Sequence, residues 1–514
     1  MRISITGATG NVGREALKEI VKAFPESELA ILVFPGDKRL KFIKKTLKRS
    51  KAKLIFGSLA DAEACAETVK GADYVIDMAA VIPPLADKNP RAAEECNVTG
   101  VKRLLRAIEA EEKQPKLIHI SSMAVYGNRN LRHPWGRVGD PLLVSPFDFY
   151  AATKLRGEFA VLESSVKKWA VLRQTAVLHE RMLADNLSDG LIFHTCFNSP
   201  LEWVTANDSG VLIANIIKKD AEKDLGNVFW RKVFNIGGPR ENCVTGYEFL
   251  SGGFDLIGGS AKDFFKPDYN ALRNFHGLWF ADGHVLDDMF RYQKTTVSDY
   301  WKEIGKKRKY YSLAKILPKK IVAKLAIERL FKDSNSVKFW YNNKDEARIT
   351  AYFGGFDAYE KIPKNWEDFP LNSENRSDWG DIDYAAARNV KNASFPYCGY
   401  DYAKRDEDID INDLRSVARM HGGELKSETF EKGDLYKKLT WQTQDGEEFI
   451  ATPYTVLRAG HWYNCIYYKN AWDFDRLSKK DKIFASIWLD SHSANENYRY
   501  EYDGDFNAKV IKEK

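Results

Sequence analysis

MRISITGATGNVG, residues 1–13, joins a short apolar strand directly to a glycine-rich turn. Residues 14–24 carry apolar side chains at helical spacing, so the predicted order is strand, turn, helix. In such a turn Gly7 permits the tight exit from the strand, Gly10 lets the backbone approach a pyrophosphate, and Gly13 allows the helix to pack on the strand. The free N–H groups at the helix start then face the phosphates. A purely structural glycine turn is the alternative.

Strands and helices alternate beyond this unit. Further apolar runs at 29–34, 53–56, 74–78 and 117–120 are separated by segments of helical periodicity. This alternation is typical of βαβ units and a parallel sheet. We therefore predict an α/β fold built on a Rossmann-type doubly wound parallel sheet, with a substrate-binding extension and a small separate C-terminal α+β module.

The loop after the second predicted strand should select a dinucleotide cofactor. A fold that binds NAD usually carries Asp or Glu at the end of this strand for the ribose 2′-hydroxyl, whereas a 2′-phosphate requires cations. No carboxylate follows Val33 directly: Asp37 comes later, with Lys38 and Arg39 beside it. NADP is therefore predicted over NAD, and two solvated loop cations are the alternative.

Two motifs come after the fifth predicted strand. Ser121-Ser122-Met123-Ala124-Val125-Tyr126-Gly127 follows the strand directly, and Tyr150-Ala151-Ala152-Thr153-Lys154 opens a helix. A separation of four residues places Tyr150 and Lys154 on one helical face. Ligands of parallel sheets bind beyond the carboxyl ends of the strands, so these groups are candidates for chemistry. Each motif alone also fits an ordinary turn or an ordinary amphipathic helix.

Taken together, TGATGNVG, SSMAVYG and YAATK resemble the extended short-chain dehydrogenase/reductase family, which includes NAD-dependent sugar epimerases and dehydratases. The resemblance covers about residues 1–240. It implies that Tyr150 is the catalytic acid or base, Lys154 its partner and Ser122 the hydroxyl that orients the substrate. Together with the loop residues argued above, the predicted cofactor-binding residues are Gly7, Thr9, Gly10, Asn11, Val12, Gly13, Lys38, Arg39, Ser58, Leu59, Ala79, Ala80, Asn97, Tyr150 and Lys154.

Three positions depart from the family pattern. Asp77 stands where the family often has His, Ser58 where it often has an adenine-contacting Asp, and Gln174 where Pro commonly follows the Arg. Outside the resemblance, His276 lies in a dense aromatic and polar run and is predicted to be a packing residue.

The chemistry of the tyrosine sets a requirement on its surroundings. Its pKa must fall by roughly 3 units for acid–base work near neutrality, which corresponds to about 4 kcal/mol. One exposed ammonium supplies about 1 kcal/mol or less. Tyr150 and Lys154 are therefore predicted to lie in a water-poor pocket, where Lys154 and an oxidised nicotinamide ring, both positive, together favour the phenolate. Ser122 would donate to the substrate oxygen and Tyr150 would pass the proton.

These residues predict an NAD(P)-dependent oxidoreductase that transfers a hydride between a nicotinamide cofactor and a carbonyl or secondary alcohol. A sugar-nucleotide epimerase or dehydratase using the same site is the first alternative. A dehydratase would commonly show an acidic pair where Met123 and Ala124 stand, which weighs against that branch. An NADP-sensing scaffold protein is the second alternative, although a sensor has no need for the proton-transfer residues. The substrate's character is left open.

At 514 residues the chain exceeds one core. We predict an NAD(P)-binding domain over 1–305 with its substrate-binding part from about 175, a basic helical extension and linker over 306–395, and a C-terminal module over 396–514. That module weakly resembles treble-clef-like or zinc-ribbon modules. No metal is expected, because the ligand positions hold other residue types: Leu425, Thr443, Glu447, Tyr463 and Ile466, with Cys465 out of register. Apolar burial should replace it, through the aromatic residues Trp441, Phe449, Tyr454, Trp462, Tyr467 and Trp472.

Composition indicates the compartment. The chain is 44% hydrophobic and 29% charged, without an apolar run long enough to span a bilayer. Met1 to Ile5 belong to the first strand and leave no room for a signal peptide, and the six cysteines form no CxxC pair. A cytoplasmic protein without disulfides or a nucleic-acid partner is expected, and a homodimer is left open.

The net charge of +6 is unevenly distributed. Residues 302–332 hold eleven Lys and Arg against Glu303 and Glu328. Pro318 is predicted to start a helix that packs its apolar side chains on the domain and solvates its basic face. Contact with an anionic surface is the alternative.

Overall fold

The computed structural model describes residues 1–369, 371, 384–462 and 471–512. The strands in chain order are β1 Arg2–Thr6, β2 Glu28–Val33, β3 Lys51–Phe56, β4 Tyr74–Asp77, β5 Lys116–Ser122, β6 Trp135–Gly136, β7 Trp169–Gln174, β8 Ala176–Leu178, β9 Pro200–Thr205, β10 Lys232–Ile236, β11 Cys243–Thr245, β12 Trp279–Phe280, β13 Glu424–Leu425, β14 Leu439–Gln442, β15 Glu448–Ala451, β16 Ala471–Trp472, β17 Tyr498–Tyr502 and β18 Ala508–Lys512. Seven of these form the central sheet in the order β10-β7-β5-β4-β1-β2-β3. All of its pairings are parallel.

Helices cover both faces of this sheet. The α-helices of the first part of the chain are Asn11–Ala23, Lys44–Leu47, Ala62–Val69, Leu85–Lys88, Pro90–Glu94, Val101–Glu109, Phe149–Leu162, Met182–Asn186, Ala206–Glu222, Gly246–Asp255, Ala261–Phe264, His284–Phe290 and Val297–Lys307. The helices 11–23 and 206–222 share one buried apolar cluster, and the helices 62–69, 101–109 and 149–162 contribute to another. Burial on both faces accounts for the largely apolar strands β2, β4 and β7, whereas the edge strand β3 is partly exposed. The predicted doubly wound parallel sheet is confirmed.

Short helices and small sheets make up the remainder. The later α-helices are Lys319–Val322, Val337–Asn342, Glu346–Phe353, Phe356–Glu360, Tyr384–Arg388, Ile411–Met420, Phe474–Ser478 and Lys482–Trp488. The small sheets are β11-β9-β8, β12-β6, β13-β14-β15 and β16-β17-β18. The last two form the predicted C-terminal α+β part together with the final helices.

The C-terminal part packs on the central sheet. The phenol oxygen of Tyr454 accepts a hydrogen bond of 2.8 Å from the amide of Val233 in β10. Five of the aromatic residues expected to replace a metal are buried, namely Trp441, Phe449, Tyr454, Trp462 and Trp472. Tyr463, Cys465, Ile466 and Tyr467 lie outside the described residues. The domain boundaries after 305 and 395 remain predictions.

The basic segment differs from the expected single helix. Its turns change in type, from a 3₁₀ helix at Lys309–Ile316 through the α-helix at Lys319–Val322 to a π turn at Ala323–Ile327 and a 3₁₀ turn at Glu328–Lys332. Leu330 is buried as predicted, but Ile321 and Leu325 are 48% and 65% exposed. The prediction that all apolar side chains pack inward was wrong, because a chain of short turns cannot present one continuous face. Within the described ranges, no helix is long and apolar enough to cross a membrane.

Candidate active site

The glycine turn lies at the carboxyl end of β1. Gly7 has a φ of +69°, a conformation that side chains with a Cβ rarely adopt, and a Cβ there would meet the backbone of Met78 and Ala79 at 2.6 Å. A Cβ at Gly13 would lie 2.1 Å from the carbonyl oxygen of Gly7. Gly10 is different, since a Cβ there would meet only that same oxygen, at 3.2 Å. The turn itself therefore requires Gly7 and Gly13, whereas Gly10 has one close neighbour and is otherwise unobstructed.

The helix that follows starts without a side-chain cap. Gly10 is its N-cap residue, no side chain bonds to its first amides, and its first turn carries no acidic residue. Asn11, Val12 and Gly13 are the first residues of this thirteen-residue helix. Uncapped amides at the positive end of a helix dipole, beside an open glycine, are suited to the phosphates of a dinucleotide.

The loop after β2 turns back to the glycine turn. The hydroxyl of Thr9 donates a hydrogen bond of 2.6 Å to Oδ2 of Asp37. Arg39 forms two bonds to the same carboxylate, at 3.0 and 3.1 Å, while Lys38 is exposed. Burial acts to raise the pKa of Asp37, but the bonds from Arg39 and Thr9 prevail and lower it to about 2. The structure thus places the carboxylate of Asp37 beside the glycine turn. The sequence had not predicted this carboxylate as a ribose ligand, because Asp37 comes several residues after the end of β2.

Loops after β3 and β4 complete this edge of the sheet. The hydroxyl of Ser58 accepts a bond from the amide of Ala60, and Leu59 is buried. The amide of Ala79 donates to the hydroxyl of Thr6 at 3.1 Å, and Ala80 follows it. The backbone at these two alanines is thereby tied to the end of β1.

Asn97 positions the loop after β4. Its side-chain amide donates to the carbonyl oxygen of Val81 and to Oγ1 of Thr153, and its oxygen accepts from the Val81 amide at 2.9 Å. The side chain is 1% exposed. Because every donor and acceptor of this amide already has a partner within the chain, Asn97 supports a cofactor site through Val81.

Ser122 and Tyr150 meet at the end of β5. The two side chains are hydrogen-bonded to each other, and the Ser122 oxygen also accepts from the amide of Ala124 at 3.2 Å. Burial raises the pKa of Tyr150 to about 12, with the bond to Ser122 acting in the opposite direction. The phenol is therefore protonated at neutral pH in the protein alone. The lowered pKa that the sequence argument required is not a property of the chain by itself.

The position of the Lys154 ammonium explains why the lysine does not offset the rise that burial causes in the pKa of Tyr150. Lys154 follows Tyr150 by one helical turn and its side chain is buried, but its ammonium donates a hydrogen bond of 2.6 Å to the carbonyl oxygen of Ile120. Burial lowers the pKa of Lys154, and the nearby carboxylate of Asp77 opposes that shift. Asp77 is itself bonded to the Thr6 hydroxyl at 2.6 Å and to Nδ1 of His119 at 2.8 Å. The Lys154 ammonium thus lies in the field of a buried carboxylate that is hydrogen-bonded to the strand leading into the glycine turn.

A pocket that is partly open to solvent is lined by Asp148, the residue two positions before Tyr150. Asp148 is the N-cap of the helix 149–162 and lies 2.6 Å from Nδ1 of His276. The pocket is lined by Pro83, Asp87, Phe147, Asp148, Leu191, His194, Asn274, Phe275, His276, Asn335, Trp340, Arg348, Tyr352 and Tyr502. His276, predicted to be a packing residue, is one of its polar walls.

Two buried oxygen atoms of this pocket have no hydrogen-bond partner among the described residues. Oδ2 of Asp87 and Oδ1 of Asn274 are buried without a hydrogen bond to any described residue. Burial raises the pKa of Asp87 to about 8, with Asp148 and Asp189 adding to the shift and Arg348 opposing it. Asp87 therefore carries its proton at neutral pH. Sequence reasoning missed these residues because the segments that supply them are distant in the chain.

Gln174 is a further unpartnered group. It ends β7 in register with Ser122 of β5, and both amide atoms of its side chain are buried without a partner in the described structure. An amide held in this way costs free energy unless a ligand or water bonds to it. The sequence marked the position, since Gln174 replaces a residue that is commonly proline in the resembling family.

Known proteins resemble the N-terminal part of the chain, which contains the glycine turn, Ser122, Tyr150 and Lys154. The family model for the RmlD substrate binding domain matches residues 1–189. An uncharacterized UDP-glucose epimerase, YtcB of Bacillus subtilis, is 29% identical over 167 residues, which are 31% of this chain and 50% of that protein. The uncharacterized membrane protein MJ1061 of Methanocaldococcus jannaschii is 25% identical over 186 residues, 35% of this chain and 50% of that protein. The chain thus spans about half the length of the curated relatives it matches.

Solved structures are similar at low identity. The dTDP-glucose 4,6-dehydratase of Bacillus anthracis in complex with NAD is 17% identical, with a TM-score of 0.48 over 60% of this chain and 96% of that one. DesIV of Streptomyces venezuelae, a dTDP-glucose 4,6-dehydratase with NAD bound, is 17% identical, with a TM-score of 0.48 over 61% of this chain and 100% of that one. Residues 1–189 of this chain thus match the RmlD substrate binding domain, and they include the glycine turn, Ser122, Tyr150 and Lys154.

Proposed function

We propose that this protein is a dinucleotide-dependent oxidoreductase that interconverts a carbonyl and a secondary alcohol. The observation that carries the proposal is the hydrogen-bonded pair of Ser122 and Tyr150, which lies with the buried Lys154 at the same edge of the sheet as the open glycine turn. A hydroxyl, a phenol and an ammonium beside a phosphate-binding turn are the groups that reduction of a carbonyl requires.

Each residue has a defined task in the reduction. A bound nicotinamide supplies the hydride. Ser122 donates to the carbonyl oxygen and fixes its position, and Tyr150, protonated at neutral pH, delivers the proton to that oxygen as negative charge develops on it. The task we propose for Lys154 is to favour the resulting phenolate, which requires its ammonium, bonded to the carbonyl oxygen of Ile120 in this structure, to turn toward the phenol. In the oxidation of an alcohol the same groups act in reverse.

The position of Asp37 supports NAD as the cofactor. The sequence alone favoured NADP, because Lys38 and Arg39 follow the strand. In the structure Arg39 is bonded to the carboxylate of Asp37, and that carboxylate faces Thr9 of the glycine turn. A carboxylate at this place accepts from a ribose 2′-hydroxyl and repels a 2′-phosphate.

The pocket supports a substrate rich in hydroxyl groups. Asp87, Asn274, His276 and Arg348 bring carboxyl, amide, imidazole and guanidinium groups to its walls, and two of these side chains have unpartnered oxygens. Sites with buried polar groups recognise polar substrates, because an apolar ligand leaves those groups without partners. Much of the chain's aromatic content is buried in the core.

A sugar-nucleotide epimerase is the second candidate. The polar pocket and the similarity to a protein described as a UDP-glucose epimerase favour it. Such an enzyme would use Ser122, Tyr150 and Lys154 but regenerate its cofactor within each turnover. Met123 and Ala124, which follow the serine, offer no acidic pair for a dehydratase.

Incubation of the full chain with NADH or NADPH and a panel of sugars, ketones and nucleotide sugars tests these candidates. Net oxidation of the reduced cofactor, followed at 340 nm, supports the oxidoreductase. Interconversion of nucleotide sugars without net cofactor change supports the epimerase. Cofactor binding without turnover of any compound supports the scaffold alternative and contradicts the proposal.

A further inference from the structure

Residues 306–325, here called the basic corner, form a surface segment in which all charged residues are cations. Its twenty residues hold eight Lys and Arg and no Asp or Glu. Every residue from Lys315 to Ile321 is exposed. Lys307 forms an ion pair within its own helix, and Arg308 and Lys319 form ion pairs with more distant segments. The remaining lysines, Lys306, Lys309, Lys315, Lys320 and Lys324, form no ion pair with any residue that the structure describes.

Apolar side chains project from the same corner. In a 3₁₀ helix residues three apart share a face, and Tyr310, Leu313 and Ile316 lie at this spacing in the helix Lys309–Ile316. They are 56%, 65% and 82% exposed. Their exposure is not a result of poor packing of the segment, because Tyr311 on another face packs on a buried cluster.

The second half of the corner repeats the pattern. Ile321 and Leu325 are four residues apart and exposed, and Lys320 and Lys324 lie beside them at the same spacing. Val322 and Ala326 pack partly against the core and fix the segment to the domain. Apolar and cationic stripes thus run side by side on the outer surface.

We propose that the basic corner attaches the protein to the surface of a membrane containing anionic phospholipids. The exposed aliphatic side chains enter the boundary between headgroups and acyl chains, and the unpaired lysines bind the phosphates around them. Long lysine side chains suit this arrangement, since their methylene stems lie along apolar surface while the ammonium stays in the headgroup layer.

Other occupants fit the corner less well. A symmetric dimer through this face would bring the cations of one copy against those of the other. A nucleic acid would pair with the lysines but leave Leu313 and Ile316 in water, because such binding relies on phosphate contacts and on stacking with aromatic or guanidinium groups. Of these three occupants, only a lipid surface uses both the charge and the aliphatic side chains.

Co-sedimentation of the full chain with vesicles tests this inference. Vesicles of phosphatidylcholine alone are compared with vesicles of equal parts phosphatidylcholine and phosphatidylglycerol. We expect binding to the anionic vesicles, weaker binding to the neutral ones, and loss of binding as salt is added, because salt screens the lysine contacts. Failure to sediment with either kind of vesicle overturns the inference.

Two double variants separate the apolar contribution to vesicle binding from the electrostatic one. Ile316→Glu with Leu325→Glu should lower the affinity for anionic vesicles on the order of a hundredfold, and Lys320→Gln with Lys324→Gln on the order of tenfold. Val228→Glu, at a side chain 70% exposed elsewhere, and Lys102→Gln with Lys218→Gln are the matched controls. The Tm of each variant is measured, and vesicle affinities are compared among variants whose Tm matches that of the wild type.

The same variants also test whether another occupant binds the basic corner. Equal loss of binding in the control variants would show a nonspecific effect and overturn the inference. Light scattering that finds a dimer converted to a monomer by the Ile316→Glu and Leu325→Glu changes would assign the corner to a second copy. Retention of an oligonucleotide by the wild-type protein in the absence of vesicle binding would assign it to nucleic acid. Each of these results contradicts the lipid surface.

Discussion

Nε2 of His461 lies 3.0 Å from Oε1 of Glu158, and both side chains are buried. Glu158 belongs to the helix that carries Tyr150 and Lys154, whereas His461 comes from the C-terminal part. The same carboxylate accepts bonds of 2.6 Å from the Ser121 hydroxyl and from Arg173. Arg173 in turn donates to the backbone oxygen of Ala459 at 2.6 Å. The C-terminal part is therefore tied to the helix that carries the proposed proton donor.

Glu158→Gln should destabilise the protein by about 3–5 kcal/mol, because it removes the charge that pairs with the buried Arg173. The free energy of unfolding from urea titration measures the loss. Glu112→Gln, at an exposed glutamate, is the control and should change it by less than about 0.5 kcal/mol. An equally small effect at Glu158 would show that the network does not hold the two parts together.

Tyr150→Phe should lower kcat by roughly two to four orders of magnitude, because the phenol is the proposed proton donor. Affinity for the dinucleotide should change little, since the ring remains in place. Steady-state kinetics and cofactor titration by fluorescence are the measurements. Tyr397→Phe, at a tyrosine 64% exposed, should retain full activity. Unchanged turnover in the Tyr150 variant would remove this residue from the mechanism.

Asp37→Asn should weaken NAD binding about tenfold or more and improve the relative affinity for NADP. The variant loses a charged acceptor for the 2′-hydroxyl and the repulsion of a 2′-phosphate. Dissociation constants for both cofactors, measured side by side, decide the outcome. Arg39→Gln is the comparison. If it abolishes NADP binding while Asp37→Asn leaves NAD binding intact, the preference predicted from the sequence is correct.

Gln174→Met should raise the free energy of unfolding by about 1–3 kcal/mol, because the side-chain amide has no partner within the described structure. The same change should weaken cofactor or substrate binding, since the amide ends β7 beside Ser122. Urea denaturation gives the first quantity, and Kd and KM give the second. A variant that is less stable than wild type, with unchanged binding, would show that the amide bonds to water or to the chain.

Asp87→Asn should alter the dependence of stability on pH. The pKa of Asp87 is raised from 3.8 to about 8 in the folded protein. Between these values the folded chain holds a proton that the unfolded chain has released, so stability falls as pH rises through this window. The asparagine variant lacks this loss, and its Tm should exceed that of the wild type increasingly from about pH 4 to pH 8.

Asp288→Asn, at an exposed aspartate, is the matched control for this titration. Its Tm should follow that of the wild type at every pH. If the Asp87 variant also follows the wild type across the window, the carboxyl is ionised in the folded protein and its oxygen has a solvent partner.

The central sheet could be predicted because its information is local. The apolar run 1–6, the glycine spacing that follows it and the alternation of strands with helices each satisfy a rule that operates within a few residues. Parallel strands then place their carboxyl ends at one edge, which brings Ser122, Tyr150 and the glycine turn together by topology alone. The motif residues of the candidate site were therefore accessible from the sequence.

Tertiary structure alone decided the walls of the pocket and the state of its groups. Asp87, His276 and Arg348 meet although long stretches of chain separate them, and no local pattern marks their convergence. The shift in the Tyr150 pKa depends on burial and on where the Lys154 ammonium points, both of which follow from packing. Likewise, the exposure of Ile316 in the basic corner depends on which face of the segment the domain covers, and periodicity does not specify that face.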